Sequence, residues 1–298
     1  MTGNKKTTTL VIAASCCLLG SSFASATVLQ LAPLLPSWTA TGQGSDATFV
    51  RIDNQWHDSG VYWNESSGAY SATPGDGYVA VGSLSWGSGL WGINDFNAVM
   101  GGKVSPVASW SGRVSQINHG DGCYNQQWSG AWGAAQPAPI FGSGTGCAEG
   151  DADPAQANDE DNWLAYFTGY VRVTDEDLYN FSVLYDDGFF FNLYGADGQA
   201  SLTRDFLNPR DRLGFEDDLL LSEGLYRFEL GVYDRLEAGV VDLRWQRGGA
   251  SDWWLLPPEY LLDVAEPGTF ALFGAGLVGL GLAYRRRRTQ AGPVPDAT

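Results

Sequence analysis

Alternating apolar and polar positions predict a series of β-strands in the second half of the chain. Turn clusters rich in Asp and Gly separate these segments. Successive strands joined by short turns predict an antiparallel all-β fold, a sandwich or a barrel. The predicted strands are 163–173, 178–185, 189–194, 219–221, 225–233 and 240–245.

Residues 27–101 have a weaker pattern and are rich in Gly, Ser and Trp. Short alternating stretches at 47–52 and 77–81 predict strands, and no helix with an apolar stripe is evident. The sequence leaves open whether this β region is a domain of its own or supplies the first strands of the following one. Trp86 and Trp91 are candidates for a sugar-stacking platform, but we favour buried core aromatics.

The N-terminus has the three parts of a secretory signal peptide, predicted over residues 1–26. A basic pair at 5–6 precedes an apolar run at 10–19, and Ala24 and Ala26 form the small-x-small pattern of a cleavage site. The apolar run is too short for a stable membrane-spanning helix. We therefore expect cleavage after Ala26 and export of the chain.

The C-terminus combines an uncharged stretch with a basic block. Residues 268–284 carry no charge and reach the low end of spanning length, so we predict a transmembrane helix there. By the positive-inside rule the basic block stays cytoplasmic and the body lies outside. An ordinary tail anchor is the alternative interpretation. The basic block consists of Arg285, Arg286, Arg287 and Arg288.

Residues 264–290 resemble a PEP-CTERM sorting segment. The order Val-Ala-Glu-Pro, a helix rich in small residues and an arginine cluster carries this resemblance, with Glu266 and Pro267 as the central pair and Ala265 where proline is usual. The resemblance implies processing near Glu266–Pro267 by an exosortase, in a Gram-negative cell that makes exopolysaccharide. The precursor would span the inner membrane, and the product would reach the cell surface or the extracellular matrix.

The composition is strongly acidic. The formal net charge is −17, with 34 acidic against 17 basic residues, and the basic clusters at both ends leave the body still more acidic. Such a surface repels nucleic acid and anionic polymers, whereas neutral glycans and divalent cations are compatible partners. Solubility alone is a sufficient reason for this charge.

Four cysteines divide between the signal peptide and the body. Cys16 and Cys17 leave with the signal peptide; a lipoprotein cysteine at Cys16 is disfavoured because the usual large aliphatic residue is missing three places before it. Cys123 and Cys147 remain in an oxidising compartment. We predict one disulfide between them, which would stabilise the fold by about 3 kcal/mol.

The run of strands after residue 160 resembles the protective-antigen-type β domain, which is also found in yeast flocculins and in many glycosidases. Six motifs occur in the family's order, although Asp177 replaces a usual glycine. We assign residues 102–263 to this domain. The motifs are Phe167–Tyr170, Leu178–Phe181, Asp186–Gly188, Gly224–Leu230, Val241–Trp245 and Pro257–Leu261.

The resemblance implies a calcium site at Asp186 and Asp187. Adjacent carboxylates repel each other unless a cation lies between them, and calcium takes six to eight oxygen ligands in flexible geometry. In lectin-like members a cis peptide joins the two aspartates. Asp234 would replace the usual asparagine ligand, and the carbonyls of Leu236 and Ala238 would follow. A hairpin turn with an Asx hydrogen bond is the alternative.

Few features predict catalysis or another metal site. His57 and His119 are the two histidines and lack metal-ligand spacing, and no hydrolase, zincin or P-loop motif occurs. The acidic stretch 151–161 lacks calcium-loop spacing and is predicted to be a solvated loop. We expect a non-enzymatic, calcium-dependent carbohydrate-binding protein acting in adhesion or exopolysaccharide association. A structural matrix protein without glycan binding is the alternative, and a glycoside hydrolase is third.

Overall fold

The computed structural model describes residues 28–36, 42–141 and 160–263. In these ranges most strands belong to one large curled sheet of mainly antiparallel strands, which confirms the all-β fold class. No helix within the same ranges is long and apolar enough to cross a membrane. The predicted signal peptide at 1–26 and the predicted sorting helix at 268–284 lie outside the described residues.

The strands and helices fall in the following order along the chain. The first part contains β1 (Leu29–Leu31), β2 (Gly42–Gln43), β3 (Ser45–Arg51), β4 (Tyr62–Asn64), β5 (Ala69–Ser71), β6 (Val79–Ala80), α1 (Ile93–Met100), β7 (Ala108–Val114), β8 (Asn118–Gly120), α2 (Gly122–Gln127), α3 (Ser129–Trp132) and β9 (Gln136–Pro137). The second part contains β10 (Trp163–Val173), β11 (Asp177–Tyr194), β12 (Gln199–Gly214), β13 (Leu219–Leu221), β14 (Gly224–Asp234), β15 (Val240–Arg247), β16 (Trp254–Leu255) and β17 (Leu261–Asp263).

Four long strands, β10, β14, β11 and β15, lie side by side in that order at the centre of the sheet. Their alternating apolar residues point into one core, in which the rings of Phe167, Phe181, Phe191 and Phe228 are fully buried. Each such ring stabilises the fold by about 2 kcal/mol when it leaves water. The alternation that predicts these strands therefore also fixes which face of the sheet is buried.

Strand β11 changes its partner halfway along its length. Residues 179–186 pair with β15, and residues 188–194 pair with β14. Strand β12 pairs with residues 182–194 of β11, with register shifts on both sides of Asp187. The sequence predicts a break at 186–188, and this prediction was wrong: the strand continues, because a neighbouring strand takes over its hydrogen bonds.

The N-terminal region contributes to two sheets. Strand β3 pairs antiparallel with both β10 and β7, and β1 pairs parallel with β13, so these segments belong to the large sheet. Strands β4, β5 and β6 form a separate three-stranded sheet. Residues 27–101, which the sequence left unassigned, thus supply strands to the main sheet and an excursion that leaves it between β3 and β7.

Asp95 connects two parts of this excursion, the segment at 59–60 and the start of the α1 region, through hydrogen bonds. The carboxylate is buried and accepts hydrogen bonds from the Ser59 hydroxyl and from the backbone N–H groups of Gly60 and Trp91, each between 2.8 and 2.9 Å. Burial raises the pKa of Asp95 to about 6, and the donated hydrogen bonds oppose this shift. Asp95 lies in α1, a helix that the sequence did not predict, because its apolar stripe is only two turns long.

Two of the longer strands of the sheet, β7 and β12, have no sequence prediction. Strands β7 and β12 have mostly exposed or half-buried side chains. A strand with few buried positions lacks the alternation on which a prediction depends. Both were missed for this reason.

Candidate functional site

Asp186 and Asp187 lie where β11 passes from β15 to β14. Asp186 is opposite Val240 at the start of β15, and Gly188 is opposite Tyr233 near the end of β14. The peptide bond between the two aspartates is cis, as the resemblance led us to expect. The partner change therefore brings both carboxylates to the loop at 235–239, which joins β14 to β15.

Asp234, the last residue of β14, is fully buried next to this pair. Neither of its carboxylate oxygens accepts a hydrogen bond from any residue that the structure describes. Burial raises the pKa of Asp234 well above its ordinary value, and the negative charges of Asp187 and Asp121 raise it further. The site thus holds a buried acid that the described part of the chain does not neutralise.

Asp187 and Asp186 have different partners. One oxygen of Asp187 accepts a hydrogen bond of 2.8 Å from the backbone N–H of Arg235. Asp186 forms an ion pair of 2.5 Å with the guanidinium of Arg210, which comes from β12. Burial raises the pKa of Asp187 well above its ordinary range, with Asp186 as the second cause. Burial also raises the pKa of Asp186 to about 7, against the charge of Arg210.

The loop at 235–239 presents the two carbonyl groups predicted as ligands. Arg210 donates a second hydrogen bond, of 2.7 Å, to the carbonyl oxygen of Ala238. The same nitrogen atom of Arg210 therefore contacts two atoms of the predicted calcium shell. Leu236 lies in the wall of the adjacent cavity, and Glu237 adopts a left-handed backbone conformation with φ 71°. The full ligand set of Asp186, Asp187, Asp234, Leu236 and Ala238 stays a prediction.

Asp121 is a site residue that the sequence analysis missed. It caps α2 by accepting a hydrogen bond of 2.7 Å from Tyr124 N–H, and its other oxygen accepts one of 2.5 Å from Gly239 N–H. Burial is the main cause that raises its pKa to about 8, and the charge of Glu160 contributes to this rise. An Asp directly before the first residue of α2 is an N-cap signature, but the helix is too short to show a periodic pattern.

The prediction of a solvated loop at 151–161 was wrong for its last two residues. Glu160 and Asp161 are each 1% exposed. Glu160 accepts a hydrogen bond of 2.7 Å from Gly122 N–H, and Asp161 accepts one of 3.1 Å from Glu237 N–H. They are buried because they accept hydrogen bonds from backbone N–H groups, one at the start of α2 and one in the loop at 235–239. Residues 151–159 lie outside the described ranges.

A cavity of about 550 Å³ opens beside these carboxylates. Its walls come from the helical corner of α2 and α3, from the junction in β11, from β12 and from the 235–239 loop. This volume falls within the range of small-molecule sites. The walls include Trp128, Trp132, Asp186, Asp187, Arg210 and Glu237.

Other predicted residues have separate outcomes. Trp91 is 3% exposed and matches the prediction of a core aromatic, whereas Trp86 is 41% exposed and does not. Cys123 is buried, but Cys147 lies outside the described residues, so their disulfide stays a prediction. The proposed sorting residues and the signal cleavage site also lie outside the described ranges.

Comparison with known proteins confirms the sorting segment. Residues 263–288 match the PEP-CTERM protein-sorting motif. Such a motif indicates an exported protein that is sorted to the cell surface, and it implies processing by an exosortase. A search of curated proteins found no match.

Several solved structures are similar to the chain. The PA14 domain of the MpAFP antifreeze protein has 16% identity and a TM-score of 0.43, over 76% of this chain and 94% of that one. A PA14 sugar-binding domain from an RTX adhesin has 13% identity and a TM-score of 0.39, over 75% and 99%. The Epithelial Adhesin 9 A domain from Candida glabrata, in complex with Galb1-3GlcNAc, has 12% identity and a TM-score of 0.45, over 81% and 99%.

Proposed function

We propose that this exported surface protein binds a glycan at the cavity beside Asp186 and Asp187, and that a calcium ion supports the site. The observation that carries the proposal is Asp234. It is a fully buried carboxylate, beside two further acids, whose oxygens accept no hydrogen bond from the described residues. An acid so placed is neutralised either by a proton or by a cation.

The donor set suits calcium better than other metals. Carboxylates and backbone carbonyls are hard oxygen ligands, and no histidine or cysteine is among the predicted ligands. In the described part of the chain, no three Asp, Glu, His or Cys side chains already form a metal-binding group. Arg210 contacts both Asp186 and the Ala238 carbonyl in this arrangement. A bound ion would replace the guanidinium at those two atoms.

The cavity fits a sugar. A pyranose offers vicinal hydroxyl groups, which calcium accepts as further ligands, and ring C–H groups, which pack on apolar walls. Carboxylates and indole rings both line the cavity. We propose that display of this site outside the cell serves adhesion or association with exopolysaccharide.

Calcium titration of the full chain in detergent tests the proposal. Calorimetry should show uptake of one calcium ion, and chelator should lower the melting temperature. Asp187→Asn should abolish the uptake, whereas Asp217→Asn, in an exposed turn, should leave it unchanged. A glycan array with the wild-type chain, with and without chelator, should show a signal that chelator removes. Unchanged calcium affinity in Asp187→Asn would show that the site is misassigned.

A structural matrix protein of the same fold is the second candidate. Arg210 favours it, because a guanidinium already neutralises Asp186 without any metal. In that case the glycan array stays blank, and calcium, if bound, only stiffens the loop. The expectation that the chain is not an enzyme stays a prediction. Turnover of a panel of chromogenic glycosides would contradict it and would support the third hypothesis, a glycoside hydrolase.

A further inference from the structure

The loop at 235–239 is held by three carboxylates. Alternate backbone N–H groups along the loop donate hydrogen bonds of 2.5 to 3.1 Å to them. Between these donors lie Leu236 and Ala238, whose carbonyl groups are predicted calcium ligands. The position of the loop therefore decides where those two carbonyl groups lie. The hydrogen-bonded pairs are Arg235 with Asp187, Glu237 with Asp161, and Gly239 with Asp121.

The side chain of Arg235 connects this loop to the excursion between β3 and β7. Its Nε donates a hydrogen bond of 3.0 Å to the carbonyl of Ser88, and one Nη donates a hydrogen bond of 3.2 Å to the carbonyl of Trp86. Its guanidinium carbon lies 3.9 Å from the centre of the Trp91 ring. Arg235 is 7% exposed. A planar guanidinium with two acceptors and an aromatic face is held in one orientation.

Residues 86–91, which we call the brace, are ordered by contacts of their own. The indole N–H of Trp91 donates to the carbonyl groups of Gly87 and Ser88, at 3.1 and 3.0 Å. The ring of Trp91 is buried. Trp91 and Arg235 therefore donate to the same acceptor, the carbonyl of Ser88, and both fix its position.

Asn162 forms a second connection between the brace and the loop. Its side-chain oxygen accepts a hydrogen bond of 2.9 Å from the N–H of Leu90, and its own N–H donates one of 3.1 Å to the carbonyl of Arg235. Asn162 is buried and has a left-handed backbone conformation with φ 54°, which asparagine adopts more readily than most residues. The side chain and the carbonyl group of Arg235 are thus both connected to the brace.

The excursion that carries the brace is packed less deeply than the central strands. Its strands β4, β5 and β6 have half-buried or exposed positions, whereas most positions of β10 and β14 are buried. Regions with little buried surface open at a lower free energy than the core of a fold. The brace is therefore the support of the loop that opens more readily than the central sheet.

We propose that the brace positions the proposed calcium site, with Arg235 and Trp91 as the positioning residues. This inference rests on the calcium site of the proposed function and names the element that regulates it. When the brace holds the loop, the carbonyl groups of the loop stay in place for the ion. The brace also directs the positive charge of Arg235 to two carbonyl oxygens and an indole face, which lowers its repulsion of a calcium ion at Asp187.

The coupling between the ion and the brace is reciprocal. An ion that binds only when the loop is in place also stabilises the brace, by the same free energy by which the brace tightens the binding of the ion. Such couplings commonly change affinity about fivefold or more. Calcium should therefore slow hydrogen exchange in the brace, although no residue of the brace is a proposed ligand.

The test uses the full chain in detergent, with calcium or with chelator. Calorimetry gives the calcium affinity, and hydrogen exchange with mass spectrometry follows the brace and the loop. Arg235→Lys keeps the positive charge but cannot make both hydrogen bonds and the ring contact, so calcium affinity should fall about fivefold or more. Trp91→Leu leaves Arg235 in place, removes the ring and should have the same effect. In both variants the loop should exchange faster with chelator present.

Arg227→Lys is the matched control. Arg227 lies on β14, near the other end of this strand from Asp234, and its guanidinium carbon is 4.2 Å from the centre of the Tyr194 ring. This variant should leave the calcium affinity and the exchange of the loop unchanged. Peptides from β10 provide the second control, because a general loss of stability would speed their exchange and a loss of positioning should not.

Wild-type calcium affinity in Arg235→Lys or in Trp91→Leu would overturn the role of the brace and leave the proposed function standing. Calcium uptake by the wild type without slower exchange of the brace would also overturn it. If the wild type takes up no calcium, the calcium site of the proposed function is overturned, and its regulation with it. Trp91→Phe, which keeps a ring and removes the indole N–H, replaces a variant that does not fold.

Discussion

Two buried aspartates in this protein, Asp242 and Asp234, are neutralised in different ways. Asp242 on β15 is 3% exposed and forms ion pairs of 2.9 Å with both Arg212 and Arg244. Asp234 at the end of β14 is fully buried, and within the described ranges nothing donates a hydrogen bond to it. The chain thus places arginines against one buried acid and not against the other.

The two acids differ in whether the folded chain itself neutralises them. A buried carboxylate with two guanidinium partners is complete in the folded chain and binds nothing further. A buried carboxylate with further acids around it costs stability until a proton or a cation arrives. Asp242 is therefore neutralised within the fold, whereas Asp234 is the residue that we propose as a calcium ligand. Asp186 is an intermediate case, because it lies beside Asp187 but forms one ion pair, with Arg210.

The sharpest test replaces each of the two acids by asparagine. Asp242→Asn leaves two partly buried guanidinium groups without their charge partner and should destabilise the fold by about 3 kcal/mol. Asp234→Asn removes a buried acid that has to be neutralised by a proton when calcium is absent, and it should leave the calcium-free protein as stable as the wild type, or more stable. Urea unfolding with chelator present measures both. Equal losses for the two variants would contradict the distinction.

Calcium should act on only one of the two acids. At about one hundred times its dissociation constant, calcium should stabilise the wild type by about 2.7 kcal/mol, because it binds the folded state alone. Asp234→Asn should abolish this gain, and Asp242→Asn should keep it. Thermal unfolding with and without calcium is the measurement. A gain that survives in Asp234→Asn would exclude this residue as a ligand.

Replacement of Arg210 tests the intermediate case. Arg210→Met keeps much of the side-chain volume and removes the cation that contacts Asp186 and the Ala238 carbonyl. The calcium-free protein should lose about 1 to 2 kcal/mol, and calcium affinity should rise because no guanidinium competes for these oxygens. Calorimetry gives the affinity. A lower calcium affinity would mean that Arg210 assists the ion, and Arg204→Met, on the same strand, is the control.

The smallest effect that we predict is a pH dependence of the unfolding free energy caused by Asp95. This buried carboxylate is stabilised in a third way, by donated hydrogen bonds. Its pKa is about 6 in the folded protein and 3.8 in the unfolded chain. The folded state therefore binds more protons in this window, and stability rises as the pH falls through it. Between about pH 7 and about pH 5 the gain is about 1 kcal/mol. The difference in unfolding free energy between wild type and Asp95→Asn should change by this amount; a difference independent of pH would contradict the assignment.

The central strands were predictable because their alternation is long. Residues 163–173 match β10 as predicted, and the predicted 225–233 and 240–245 fall within β14 and β15. Strand β12 and helix α1 were not predicted, since one has few buried positions and the other is two turns long. Alternation reports the burial of one face, so a strand with few buried positions and a helix of two turns leave little pattern to detect.

The site was predictable only in part, for a related reason. The adjacent aspartates and their loop partner Asp234 appear in the sequence as motifs. Asp121, Trp128 and Arg210 do not, because each reaches the site through a strand or helix whose position depends on the whole sheet. In particular, Arg210 lies on β12, which alternation does not reveal. Side chains that neutralise or line a site are harder to find than those that resemble known ligands.

The last described strand, β17, has a consequence for how the protein is displayed. It pairs with β10 and β2 and ends at Asp263, which is ion-paired to Arg113. The matched sorting motif begins at that same residue. Processing near Glu266–Pro267 would leave a new carboxyl end only a few residues after the packed sheet. Whatever the cell joins to that end would then be attached without a spacer, and the β domain would be held close to its point of attachment.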